Sequence, residues 1–111
     1  MLRCSISISD AATSDIEDLV EFYLDLVDVD SARRFTDDLY ETLYRLDVFP
    51  EGNAYFDEEH NLRRTHLRNH NVSIVFIVDD GIYQVVAIGA YHSLSHSNEY
   101  TRKIIDRIRS L

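Results

Sequence analysis

The stretch Leu62 to Gly81, LRRTHLRNHNVSIVFIVDDG, decides the architecture. Val72 to Val78 is an almost unbroken apolar run rich in β-branched residues, too short for a helix of ordinary length and suited to a central strand covered on both faces. Asp79-Asp80-Gly81 then supplies the small acidic and glycine residues of a tight hairpin, leading into a second apolar strand from Ile82 to Ala90. On the other side, Leu62 to Asn69 reads as a third strand. There Arg64, His66 and Arg68 share one parity, which places all three on a single sheet face. The segment therefore predicts a three-stranded antiparallel meander.

Moving upstream, Asn53 to Asn61 is polar without periodicity and reads as a loop. Ala32, Phe35, Leu39, Leu43 and Leu46 form an apolar helical stripe that Pro50 and Gly52 end, with Asp28 to Ser31 as turn and cap. Before it, Ile16, Leu19, Val20, Tyr23, Leu26 and Val27 recur at helical intervals, and Ser14 with Glu17 has the spacing of a capping box. So short a join makes the two helices an antiparallel hairpin. At the start, Cys4, Ile6 and Ile8 alternate with serines, as in a half-buried strand expected to pair antiparallel. At the far end Asn98 caps a closing helix, with Thr101, Ile104, Ile105, Ile108 and Leu111 on one face and Arg102, Lys103, Arg107 and Arg109 on the other. The fold class expected is α+β, in one domain spanning 1–111: an antiparallel-rich sheet, made of the first strand and the meander, packed against the αα-hairpin, with a C-terminal helix.

Composition limits the environment. One cysteine among 111 residues cannot form an internal disulfide, which fits a reducing compartment. No apolar run approaches the roughly 18 residues of a membrane span, and Met1 to Asp10 lacks the features of a signal peptide. A soluble, cytoplasmic chain with no membrane partner is expected. The net charge of -9 is unevenly spread: residues 1–59 hold sixteen acids against four arginines, whereas residues 60–111 hold four acids against seven basic residues and all five histidines. The acids lie mainly on the outer helical faces, and the basic half could still present a cationic surface.

The order strand, helical hairpin, meander, terminal helix, together with the basic strand, polar turn, apolar strand and acidic turn of Leu62 to Gly81, resembles the RelE/ParE toxins of type II toxin-antitoxin pairs. The Ala32 to Phe35 pair and the Leu46 to Pro50 exit are similar to the same pattern, so that the resemblance covers about residues 5–96. It implies a curved sheet with its helices on one side, a cognate antitoxin as partner, and no cofactor. The leading reading it implies is a metal-independent endoribonuclease that cuts translated, ribosome-bound mRNA; the alternative is inhibition of DNA gyrase through surface contacts. A family member serving only as a protein-interaction module is the third reading. The histidine followed closely by arginine that ends the last strand in many relatives is here Tyr91-His92-Ser93-Leu94-Ser95-His96, with the arginine missing.

Cleavage through a ribose 2′-hydroxyl needs a base, an acid and a cation for the phosphorane charge. Histidine, with an ordinary pKa of about 6.5, suits the proton transfers, and the planar guanidinium suits the phosphate. The residues assigned to catalysis are therefore His92, Arg64, His66 and Arg68. Tyr91, Arg63 and His96 are assigned to substrate binding, Tyr91 by stacking on a base. The plain alternative is a solvated strand face, a structural Arg63 paired with helical acids, and a half-buried Tyr91. A metal held by His92 and His96 with His66 or His70 has no HExxH or CxxC motif behind it, and none is expected. The apolar stripe of the last helix either packs on its own sheet or pairs with another subunit in a homodimer.

Overall fold

Ser9 separates the first strand from the first helix by a single residue. Its backbone is still extended, and its hydroxyl accepts the Ala12 N–H at 3.1 Å, so the helix begins at Asp10, five residues before the expected start. Ser14 and Glu17 thus lie within the helix. The computed structural model describes residues 5–46, 48, 50–79, 84–92 and 98–109. These form β1 (Ser5–Ile8), α1 (Asp10–Leu26), α2 (Val29–Arg45), a short 3-10 turn (Pro50–Gly52), β2 (Tyr55–Asp57), β3 (Leu62–His66), β4 (Val72–Asp79), β5 (Gln84–His92) and α3 (Asn98–Arg109). Cys4, the Asp80-Gly81 turn, His96 and Leu111 lie outside the described residues.

Asp28 caps α2 as its position suggests, its carboxylate accepting the Ser31 N–H at 2.7 Å. That backbone bond, aided by the Ser31 side chain, holds the Asp28 carboxyl below the usual range. The sheet order is β1-β5-β4-β3-β2. Two expectations change together. Tyr55-Phe56-Asp57, read as loop, is a strand paired antiparallel with β3, and β1 pairs with β5 in parallel, not antiparallel. The two are connected. Each helix and each hairpin reverses the chain once, and the additional strand β2 adds one reversal, so β5 returns running in the same direction as β1.

The alternation of β4 divides the core. Val72, Ile74 and Phe76 face the helical hairpin and pack with Phe35, Leu39 and Leu43 of α2 and Ala12 of α1. Val75 faces the other way, into a second cluster with Leu62, Ile88, Tyr91 and Ile104. α3 therefore covers the sheet face opposite the hairpin, where helices on one side only were expected. Its apolar stripe packs on its own sheet, with Ile104 completely buried. Burial of that one side chain is worth roughly 2 kcal/mol. β5 carries one extra residue, Ile88, opposite Val75 and Phe76 of β4. Beside it Gly89 lies directly beneath α3: a Cβ there would sit 2.5 Å from Ile104 Cδ1 and 2.9 Å from both the Arg107 guanidinium and the Tyr100 hydroxyl. Only a residue without a side chain allows that approach.

Arg107 departs from the sequence reading. Placed on the solvent face of α3, it is instead mostly buried and joins Asp15 of α1 through two bonds of 2.6 and 3.0 Å. The Asp15 bonds raise the guanidinium pKa further, against the desolvation that lowers it. Burial is also the main reason that the Tyr100 hydroxyl beside them is pushed well above its ordinary pKa. No described helix is long and apolar enough to cross a membrane.

Candidate functional site

The register across three strands fixes where each candidate side chain points. Arg64 pairs with Val75 and His66 with Ser73, and Ser73 in turn pairs with Tyr91. Arg64 and His66 therefore share the α3 face of the sheet. Ser73 is fully buried, and its hydroxyl shares a hydrogen bond with His66 Nδ1, which fixes the ring against the sheet while leaving His66 exposed. Sequence reading passed over Ser73 because a serine inside an apolar strand carries no signal until its cross-strand partner is known.

His92 lies elsewhere. It pairs with Val72, whose side chain belongs to the hairpin-facing core, so the register puts His92 on the opposite face from Arg64 and His66. Arg68 leaves the group too. β3 ends at His66, and the Leu67 N–H closes the turn on the Val72 carbonyl at 3.0 Å. Parity stops counting once the strand stops, and Arg68 swings toward α2, 3.8 Å from Glu41. The one face expected to hold Arg64, His66 and Arg68 holds two of them.

The residues assigned to substrate binding are also redistributed. Tyr91 is only 5% exposed, wedged between Phe56 and Tyr100 with ring centroids 6.1 and 4.8 Å away, so it is core and has no free face for a base. Arg63 lies on the hairpin side of β3 but does not reach the helical acids. It donates to the Asn53 carbonyl at 2.7 Å and the Tyr55 hydroxyl at 2.9 Å, and its guanidinium lies 4.0 Å over the Tyr55 ring. Its work is to clamp β2 to β3. His96 lies outside the described residues.

A second polar cluster was missed altogether. Asp38 of α2 is buried, accepts the Asn69 N–H at 2.9 Å and lies 2.7 Å from His70 Nδ1, tying α2 to the β3–β4 turn. Burial pushes its carboxyl up, but the bonds from His70 and Asn69 outweigh burial and hold it below the usual range. His70 is boxed edge-on by Tyr23 and Phe35. Asp38, Asn69 and His70 line a cleft of about 390 Å³ with Arg34, Asp37 and Glu41. One group among the described residues has metal-ligand composition, Asp57, Glu59 and His60 at the β2–β3 turn, where His60 Nδ1 is already 2.6 Å from Asp57.

Comparison with known proteins follows the same outline. Residues 6–93 match the family model described as ParE toxin of the type II toxin-antitoxin system parDE. The chain belongs to this ParE toxin family. As a type II toxin of this family, it has a cognate antitoxin as its implied partner. A chain of the chromosomal ParDE system from P. aeruginosa superposes with a TM-score of 0.69 at 18% identity, covering 80% of this chain and 95% of that one. A mutant of the E. coli toxin RelE in its free state gives 0.65 at 15% identity, covering 97% and 99%, and a crystal structure of isolated E. coli RelE gives 0.52 at 16%, covering 95% and 98%. Identities this low speak for the fold alone. No curated protein matches the sequence. The chain thus shares its fold with a chain of a ParDE system and with RelE.

Proposed function

We propose that this ParE-family toxin acts by gripping a protein target, DNA gyrase, and does not cut RNA. Gyrase is the target that resemblance to ParE-type toxins implies. The observation that carries the reading is the register of β4: Val72 opposite His92 and Ser73 opposite His66 direct the two histidines to opposite faces of the sheet. A base, an acid and a cation must converge within hydrogen-bond reach of one phosphate, and a sheet between them prevents that. Tyr91 is unavailable for stacking, and Arg68 turns to Glu41. A net charge of -9 further disfavours a phosphate backbone, whereas inhibition by surface contact needs neither acid-base residues nor overall positive charge. The ribonuclease reading retains one supporting feature, Arg64 and His66 together on one face with Ser73 behind them.

The two readings separate in a single culture. After induction of the chain, thymidine and amino-acid incorporation are followed over the first minutes, for the wild type, His92→Ala and the double variant Arg64→Ala/His66→Ala. A fall in DNA synthesis first, undiminished in all three, agrees with gyrase inhibition. A fall in protein synthesis first, abolished in the double variant, overturns it in favour of the ribonuclease.

A further inference from the structure

Asp38 carries a carboxylate oxygen that the fold leaves without a donor. Its side chain is 2% exposed, and Oδ2 takes both bonds, from the Asn69 N–H at 2.9 Å and from His70 Nδ1 at 2.7 Å. Oδ1 is buried and accepts no hydrogen bond from any described residue; the Arg68 N–H favours the charge without the geometry of a bond. A buried charged acceptor with no donor is costly, and native structures seldom leave one. The carboxyl is held below its usual range, so it is ionised at neutral pH. Because a carboxylate only accepts, the proton of the His70 bond belongs to Nδ1, and a neutral ring then offers Nε2 as a further acceptor. Both groups line the cleft of about 390 Å³ between α2 and the β3–β4 turn, with Asp37 and Glu41 at its exposed mouth. Three carboxylates there face two guanidinium groups: Arg34, whose hydrogen bond goes to Ser31 Oγ at 3.5 Å, and Arg68, 3.8 Å from Glu41. One negative charge is left over.

We propose that this cleft is a binding site for a guanidinium group, the end of an arginine side chain on a protein that docks against α2 and the β3–β4 turn, with Asp38, His70, Asp37 and Glu41 as its acceptors. The proposal does not depend on which target the toxin inhibits. The spread of the acceptors selects the cation. Among the described residues only Asp57, Glu59 and His60 bring three metal-ligating atoms within 4.8 Å of one another, so the acceptors of the cleft do not converge on a point charge. A planar fork with five N–H donors spans such a set, and its weak hydration lets it leave water for a partly buried site more readily than an ammonium does. The source follows from the mouth. Arg34, Asp37, Glu41 and Asn69 are all exposed, whereas a small-molecule site buries most of its ligand, so the opening suits a side chain still attached to its backbone. Arg34, one turn before Asp38 on the same helix, is the competitor: it bears the charge of the ligand and must stand aside on binding.

The experiment titrates the purified full-length chain, at neutral pH and fixed ionic strength, with the peptide acetyl-Gly-Arg-Gly-amide, its lysine counterpart, free L-arginine and tetramethylammonium, following the Asn69 and His70 amides by NMR. The forms compared are wild type, Asp38→Asn, Asp37→Asn/Glu41→Gln and Arg34→Ala. Asp37, Glu41 and Arg34 are exposed, so the last two variants keep the fold and decide the matter if Asp38→Asn does not. The expected result is a saturable shift of both amides with the arginine peptide, a weaker one with the lysine peptide and none with tetramethylammonium. Affinity should fall about tenfold or more in Asp38→Asn, as loss of a bond to a charged acceptor implies, fall severalfold in Asp37→Asn/Glu41→Gln, and rise in Arg34→Ala. Free arginine binding more tightly than the peptide would keep the guanidinium site but overturn the tethered side chain in favour of a small molecule. Shifts that tetramethylammonium reproduces, or that persist undiminished in both acidic variants, are effects of ionic strength and overturn the site. Absence of any shift with the arginine peptide also overturns it, and an equal loss of stability in Arg34→Ala and Asp38→Asn would then name Arg34 as the donor to Oδ1.

Discussion

Arg107 and Asp15, 92 positions apart, complete the outer edge of β5 where β1 stops. β1 pairs with β5 as far as Ile8 opposite Ala87, and the Ser9 N–H takes the Ala87 carbonyl at 3.0 Å. Beyond that point the Arg107 guanidinium donates to the Ile88 carbonyl at 3.2 Å, and Asp15 accepts the Ala90 N–H at 3.1 Å. The ion pair supplies the donor and the acceptor that a longer β1 would have offered. It covers an edge that would otherwise leave backbone groups open to another strand, and it joins α3 to α1.

Breaking this pair from one side should therefore be costly. Arg107→Ala leaves a mostly buried carboxylate, and Asp15→Ala a mostly buried guanidinium, each expected to lower stability by about 3 to 5 kcal/mol in urea unfolding. Arg107→Lys should rescue little, because a point-like ammonium lacks the planar fork whose two nitrogens reach both Asp15 oxygens and the Ile88 carbonyl. A loss below about 1 kcal/mol for Arg107→Ala would show that the pair is solvated and that the edge is held some other way.

Gly89 sets the depth at which α3 sits. Gly89→Ala brings a methyl group to 2.5 Å from Ile104 Cδ1, forcing the helix outward and opening the Asp15 contact. An expected cost of about 1 to 3 kcal/mol follows from overpacking of this kind. The same variant should speed amide exchange in α3 and leave the α1–α2 core protected. Unchanged exchange throughout would mean that α3 shifts without loss.

What could be read in the sequence was whatever depends on neighbours along the chain. The run from Val72 to Val78 and the stripe from Ala32 to Leu46 announce a buried strand and an amphipathic helix, and both form. Tyr55 to Asp57 gave no signal because three residues cannot show a period, and losing that strand lost the direction of β1. Ser9 was overlooked as a cap because it also ends the serine alternation of β1. For the site, residue types were legible and gathering was not. Parity grouped Arg68 with Arg64 and His66, but the group held only as far as the strand did. Arg107 read as surface because its partner Asp15 lies in another helix, and Asp38 because His70 does not adjoin it in sequence. Partners distant along the chain leave no periodic trace.

Tyr91 and His92 are adjacent and should separate cleanly on substitution. Tyr91→Ala removes a ring packed between Phe56 and Tyr100, with an expected loss of about 3 to 5 kcal/mol. His92 is only partly buried at the strand end, and His92→Ala should cost less than about 1 kcal/mol. Thermal unfolding of the two variants tests this directly. A Tyr91→Ala variant as stable as the wild type would return Tyr91 to the list of surface residues open to a ligand.

The Asp38 carboxylate gives the fold a pH dependence whose sign is fixed. Its folded pKa lies below the unfolded value of 3.8. A depressed carboxyl contributes stability that is fully present above the unfolded pKa and is lost as pH falls through the folded one. The stability difference between wild type and Asp38→Asn should therefore be constant from pH 7 to about pH 5 and shrink progressively below pH 4. Protonation removes the negative charge that strengthens the His70 and Asn69 bonds, so the turn after β3 should loosen from α2 in the same interval, visible as faster exchange of the Asn69 amide. Urea unfolding of both forms at pH 7, 5, 4 and 3 measures the difference. A gap that stays constant down to pH 3 would place the charge of Asp38 outside the energetics of this contact, and one that widens on acidification would reverse the sign argued here.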